Sequence, residues 1–180
     1  MGFGRPRKLE TEGDLYEYAV GALGRRMRSI AELKRLLRRR VDDDSEIGKT
    51  LVELVIRRLK DQGYLNDAKY AAAYSSFRRD NEKFGRRRVL TELKVKGVHG
   101  EVIEKAIDAA FAEVDEEKQA REYLRRKRLK KPNNKNKKDT ARIFRQLMRA
   151  GFGAKTIFKI LRQWDVDEEM LGELENEPES

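Results

Sequence analysis

The chain has no cysteine in its 180 residues, which removes disulfides, thiolate metal sites and cysteine nucleophiles together. A reducing cytoplasm fits that absence. Its one histidine, His99, has no second imidazole for a metal and no Ser or Cys signature beside it, so it reads as a turn residue. No Gly-rich phosphate loop occurs. No apolar run approaches the roughly 20 residues of a membrane span. No signal-peptide pattern opens the sequence, and Met1-Gly2 lacks the Ser or Thr that myristoylation needs. The acidic stretch Asp42-Asp43-Asp44-Ser45-Glu46 lacks the glycine and ligand alternation of a calcium loop and reads as a turn before a helix. These absences predict a soluble, cytoplasmic protein with no recognisable metal or cofactor site.

What is present is charge. Charged residues make up 41% and hydrophobic residues 38%, so thin cores should lie beneath broad charged surfaces. With only three prolines and long blocks of Arg, Lys, Glu, Leu and Ala, nearly every window favours helix. The formal charge is +10, and Asp165–Ser180 contributes eight acids and no base, so the remainder carries +18. Such a body suits a polyanionic or acidic partner.

One segment repeats. Arg88-Val89-Leu90-Thr91-Glu92-Leu93-Lys94-Val95-Lys96-Gly97-Val98 returns as Arg142-Ile143-Phe144-Arg145-Gln146-Leu147-Met148-Arg149-Ala150-Gly151-Phe152. The same offset pairs Ile103 with Ile157 and Ile107 with Leu161. A weaker first copy runs Ile30–Val41, with Arg40 in place of the glycine. Each copy divides into three amphipathic helices by its apolar spacing. Leu15, Ala19 and Ala22, then Leu33 and Leu37, then Leu51, Leu54, Val55 and Leu59 mark the first set. Tyr70, Tyr74 and Phe77 open the second, and Ile143, Leu147, Ile157, Leu161 and Trp164 run through the third. Ser29 and Asn66 are candidate N-caps, and Gly63, Gly97 and Gly151 candidate left-handed helix ends. The expected fold is all-α, with nine helices in three tandem three-helix modules that form an elongated, curved repeat. Their expected bounds are 14–65, 66–113 and 114–164, after a disordered basic arm at 1–13 and before a disordered acidic tail at 165–180. A mobile basic loop is expected at 130–138, from its proline, asparagines and like charges.

The stretch Gly63-Tyr64-Leu65-Asn66-Asp67-Ala68-Lys69-Tyr70-Ala71, followed by Tyr74, Arg78, Phe84-Gly85, Arg88, Leu90, Glu92-Leu93 and Lys96-Gly97-Val98, resembles the RecX family of bacterial regulators. Asn66 stands at an acidic position of the family pattern and Arg86 where proline is usual. The likeness is strong over Ser29–Phe111, moderate over Ala141–Trp164 and absent from the terminal tails. It implies three trihelical repeats, no catalysis, and a partner, the RecA recombinase. The resembling proteins settle in the groove of the RecA nucleoprotein filament and restrain strand exchange and ATP hydrolysis.

Candidate contacts with recombinase or nucleic acid are the cations near the start of each second helix: Arg25, Arg26 and Arg28; Arg86, Arg87 and Arg88; Lys135, Lys137 and Lys138. Cations there oppose the helix dipole unless an anion is bound. Lys94 joins Arg87 and Thr91 on the face opposite Leu90 and Leu93. The densest run, Arg121, Arg125, Arg126, Lys127, Arg128, Lys130 and Lys131, suits phosphates. Each cluster has the alternative reading of a solvated or acid-neutralised surface. The aromatics Tyr64, Tyr70, Tyr74, Phe77 and Phe84 read as core by spacing, with Tyr64 and Phe84 exposed at turns. The expected function is inhibition of a RecA-type filament by a monomer, with single- or double-stranded DNA as a second ligand. The competing readings are a general nucleic-acid-binding helical protein and a plain helical scaffold for an acidic protein.

Overall fold

The computed structural model describes residues 8–132 and 137–175. Ten helices and no strand occur among them. They are α1 (Glu12–Arg25), α2 (Ile30–Arg38), α3 (Glu46–Asp61), α4 (Asp67–Asp80), α5 (Arg86–Val95), α6 (Gly100–Phe111), α7 (Glu116–Arg126), α8 (Lys137–Arg149), α9 (Ala154–Gln163) and α10 (Glu168–Glu175). Side chains rather than propensity alone fix where they start. Ser29 accepts from the Glu32 amide while Glu32 reaches back to the Ser29 amide, a capping box. Ser45 caps α3, Asn66 accepts from the Lys69 amide at 2.9 Å, and Asp115 caps α7.

Two compact units share these helices. The first holds the chain up to Ala73 together with Leu93–Glu104, so α1–α3 are joined by the start of α4, the end of α5 and the start of α6. Its core includes Leu15, Ala19, Leu33, Leu37, Val52, Val55 and Leu59. The second unit holds Tyr74–Glu92 and the chain from Lys105 onward. Tyr123, Leu124, Ile143, Leu147, Phe152, Ile157, Ile160 and Leu161 lie at its centre. The helix triples α1–α3, α4–α6 and α7–α9 are the sequence repeats, and packing divides the middle triple between the two units.

The repeat is geometric as well as textual. Leu93 and Leu147 are both 0% exposed, Ile103 and Ile157 are both buried, and so are Ile107 and Leu161. After α5 the Gly97 amide donates to Lys94 O at 2.9 Å and the Val98 amide to Leu93 O at 3.2 Å. After α8 the Gly151 amide donates to Met148 O and the Phe152 amide to Leu147 O at the same two lengths. Both are Schellman turns around a glycine at positive φ, with Val98 and Phe152 buried as the accompanying apolar plug.

Several expectations need correction. There is a tenth helix inside the acidic segment, because Val166, Met170, Leu171 and Leu174 form a buried stripe that the count of acids obscures. Residues 8–13 are not a free arm: Lys8 Nζ donates to Val41 O, the Leu9 amide donates to Arg40 O, and α1 begins at Glu12. In α5 the buried partner of Leu93 is Val89, while Leu90 is half-buried. In α2 the buried pair is Leu33 and Leu37, which matches Val89 and Leu93 one residue out of step with the glycine-based alignment. Leu54 and Phe77 are exposed, at 43% and 54%, because Val52, Ile56 and Ser75 take the inward positions beside them. Phe84 is half-buried against the second core rather than exposed. Of the expected basic loop, residues 133–136 lie outside the described residues, and Lys137 and Lys138 belong to α8.

Candidate binding surfaces

The first turn of α5 carries three arginines and no acid. An open helix end with such residues would be an anion site, but this end is filled. The Gly85 amide donates to Ala150 O at 2.8 Å and the Arg87 amide to Gly151 O at 3.3 Å, so carbonyls of the turn after α8 serve donors at and just before the start of α5. Side chains at Gly85 or Gly151 would collide with the facing backbone. Arg88 adds a bond from Nη1 to Arg149 O at 3.2 Å and another from Nε to Glu92 at 2.9 Å, while Arg86 pairs with Asp108. Arg87 is exposed and makes no side-chain hydrogen bond or ion pair among the described residues. The three neighbours therefore differ in kind: two tie the second unit together and one faces solvent.

Glu92 is the centre of that tie. It accepts from Tyr74 Oη at 2.8 Å and from Arg78 through both oxygens at 2.7 Å, besides Arg88. Burial pushes its carboxyl up, but the bonds from Arg78, Arg88 and Tyr74 outweigh that and hold it at about 2. Burial and the bond to Glu92 raise the Tyr74 hydroxyl to about 12. Arg78 lies over the Phe84 ring at 4.9 Å and Arg88 over the same ring at 5.3 Å. Tyr74, Arg78, Phe84, Arg88 and Glu92 were the family-like residues of the sequence, and here they are one another's partners.

In the first unit the start of α2 is closed in the same way by the end of α5. Ser29 Oγ donates to Lys96 O at 2.6 Å, the Ile30 amide donates to Asp67 at 2.8 Å, and Gly97 packs against Ala31. Glu32 receives Lys96 at 3.2 Å, Tyr70 Oη at 3.1 Å and Arg26 at 3.7 Å. Arg25 and Arg26 end α1, where cations suit the helix dipole, and Arg28 donates to Ala22 O. Lys94 is exposed on α5 beside Val95, which is 72% exposed.

The run after α7 stays at the surface. Arg126 approaches Glu82 at 3.5 Å, Lys127 lies over Tyr123, and Arg125, Arg128 and Lys130 are exposed. Lys131 pairs with Asp165 and Lys137 with Glu173, each at 2.8 Å. Lys138 is exposed, and Lys135 lies outside the described residues. The sequence reading missed a further set: Arg142, Arg145 and Arg149 line the exposed side of α8 and end at the junction with Arg87. Arg35 takes the outward side of α2, and the exposed Arg39 follows it at the C-cap. Their signal was present, since these positions lie opposite the buried stripes Ile143–Leu147 and Leu33–Leu37.

Fold and surfaces together define an all-helical repeat protein that offers basic helix faces. The chain matches the family model for the second three-helix domain of RecX over residues 66–107. It is 33% identical over 163 residues to the regulatory protein RecX of Deinococcus radiodurans, covering 88% of this chain and 74% of that one. Identity is also 33% with the RecX of Leptothrix cholodnii, over 92% of this chain and 95% of the relative. Against the RecX proteins of Bacillus pumilus and Bacillus subtilis the chain spans only 57% and 54% of their length. The crystal structure of RecX from Lactobacillus salivarius superposes with a TM-score of 0.60 at 21% identity, over 87% of this chain and 97% of that one. This chain belongs to the RecX family of regulatory proteins.

Proposed function

We propose that this protein regulates a RecA-type recombinase by binding along its nucleoprotein filament, restraining strand exchange and ATP hydrolysis without catalysing a reaction itself. The observation that carries the reading is the match, over most of the chain, to proteins named as RecX regulators. The outward cations support it: Arg87, Lys94 and Arg149 face solvent with no acid paired to them among the described residues, as an acidic or phosphate-rich partner requires. The helix triples are taken as the repeating units of contact, and the regulator acts as a monomer in the cytoplasm.

Co-sedimentation with RecA filaments, with RecA alone and with single-stranded DNA alone tests this directly. Retention on the filament together with a slowed ATPase is expected. Binding to naked DNA with no preference for the filament favours the second reading, a helical nucleic-acid-binding protein that acts without a recombinase. That reading draws on the cation run Arg125–Lys131.

A further inference from the structure

The last described helix, α10, packs against α8 in the second unit. α10 is held there by Met170, Leu171 and Leu174, with Val166 just before it, all buried in the core that Ile143, Leu147 and Leu161 build. This apolar anchoring fixes which way its acids point. Glu173 takes both a 2.8 Å and a 3.1 Å bond from Lys137 Nζ, and Asp165, in the turn leading to α10, takes a 2.8 Å bond from Lys131 Nζ. Glu168 pairs with Arg162 at 2.9 Å. Lys131 closes a run that also contains Lys127, Arg128 and Lys130, and Lys137 is followed by Lys138. A carboxylate therefore already sits on one lysine of each group, and it is supplied by the chain itself.

We propose that α10 and its leading turn form an internal polyanion mimic, whose carboxylates compete with single-stranded nucleic acid for Lys131 and Lys137. The pairs suit a replaceable cover. The four side chains are between 45% and 80% exposed, so water and salt screen their attraction and a phosphate can replace a carboxylate at small cost. Because α10 is held by Met170, Leu171 and Leu174 rather than by Asp165 or Glu173, the swap needs no unfolding of the helix. The compact ammonium groups accept a phosphate as readily as a carboxylate. The inference deepens the assignment of this basic run but does not rest on the recombinase reading, because its test contains no recombinase.

The test uses the full chain and a short oligo(dT), with affinity measured at several salt concentrations. Asp165→Asn with Glu173→Gln removes the two competing charges and keeps the anchors. Asn tolerates the left-handed backbone of position 165, where φ is +55°. Glu104→Gln with Glu113→Gln removes the same net charge from exposed positions elsewhere. The first pair should bind oligo(dT) about 5–10-fold more tightly at low salt, with the log–log salt slope steeper by about 1.4 for two regained phosphate contacts. The control pair should gain no more than about 2-fold, the general effect of net charge. Adding Lys131→Gln and Lys137→Gln to the first pair should return the affinity to the level of the natural chain or below. Equal gains from the two pairs, or no gain from the first while its melting curve stays native, would overturn the proposal. So would poly-glutamate gaining more than oligo(dT) does.

Discussion

At the scale of single residues, Glu92 gathers Tyr74, Arg78 and Arg88 of the second unit onto one carboxylate. Its folded pKa of about 2 lies below the ordinary carboxylate value, so its contribution is complete above about pH 4.5 and is lost as pH falls towards 2. A shift of that size corresponds to roughly 3 kcal/mol. Tyr74 acts at the other limit. Its hydroxyl is held neutral up to about 12, so the bond it donates weakens only as pH rises through 10 to 12. Glu92→Gln should lower stability at pH 7 by about 3 kcal/mol, because Arg78 keeps a partly buried charge without its bidentate partner. The variant should also flatten the loss of stability between pH 4.5 and 2. Denaturant melts of both proteins at pH 7, 4 and 2.5 check this, and an unchanged acid slope in the variant would assign that loss to other carboxylates. Part of the cluster was legible in sequence, since Arg88 and Glu92 are spaced to meet on one helix face. The bond from Arg88 to Arg149 O crosses 61 positions, and no local pattern announces it.

At the level of elements, the second helices meet end to end within each unit, and glycine permits the approach. Gly151 has φ +93° and its α-carbon faces the Arg88 backbone, so a side chain there meets two penalties. Gly63 has φ +75° but open space around it, so a side chain meets only one. Gly63→Ala should therefore cost about 1–2 kcal/mol, the left-handed penalty alone. Gly151→Ala should cost about 3–4 kcal/mol, since the Arg88 backbone must also move. Equal losses in thermal melts would mean that α8 and α5 do not meet as described. The constant offset that pairs Leu93 with Leu147 and Gly97 with Gly151 was readable because burial and turn chemistry both write themselves into residue type. α10 escaped because its three apolar positions, Met170, Leu171 and Leu174, are diluted by acids. Phe77 and Leu54 were misplaced because periodicity marks an apolar face without saying whether another element covers all of it.

For the whole molecule, the proposed contact has to be told apart from the general attraction that a chain of net charge +10 exerts on any anion. Charge alone steers any anion to such a body, and specificity has to come from cations that the fold leaves without an acid. Two charge-matched pairs at the α8–α5 junction separate these effects. Arg87→Gln with Arg149→Gln removes two outward cations, whereas Arg86→Gln with Arg88→Gln removes two that hold Asp108, Glu92 and Arg149 O. The outward pair should leave the melting temperature unchanged, since exposed charges with no partner contribute little to stability, and should weaken filament retention. The inward pair should lower the melting temperature and, once corrected for the folded fraction, bind almost as the natural chain does. If phosphates are what the outward pair grips, its loss also reduces the salt slope on single-stranded DNA by about 1.4. If carboxylates of the recombinase are gripped, affinity for naked DNA stays as it was while filament binding falls. Equal weakening by both pairs, with both folds intact, would reduce the surface to a matter of net charge and remove the distinction between Arg87 and its neighbours.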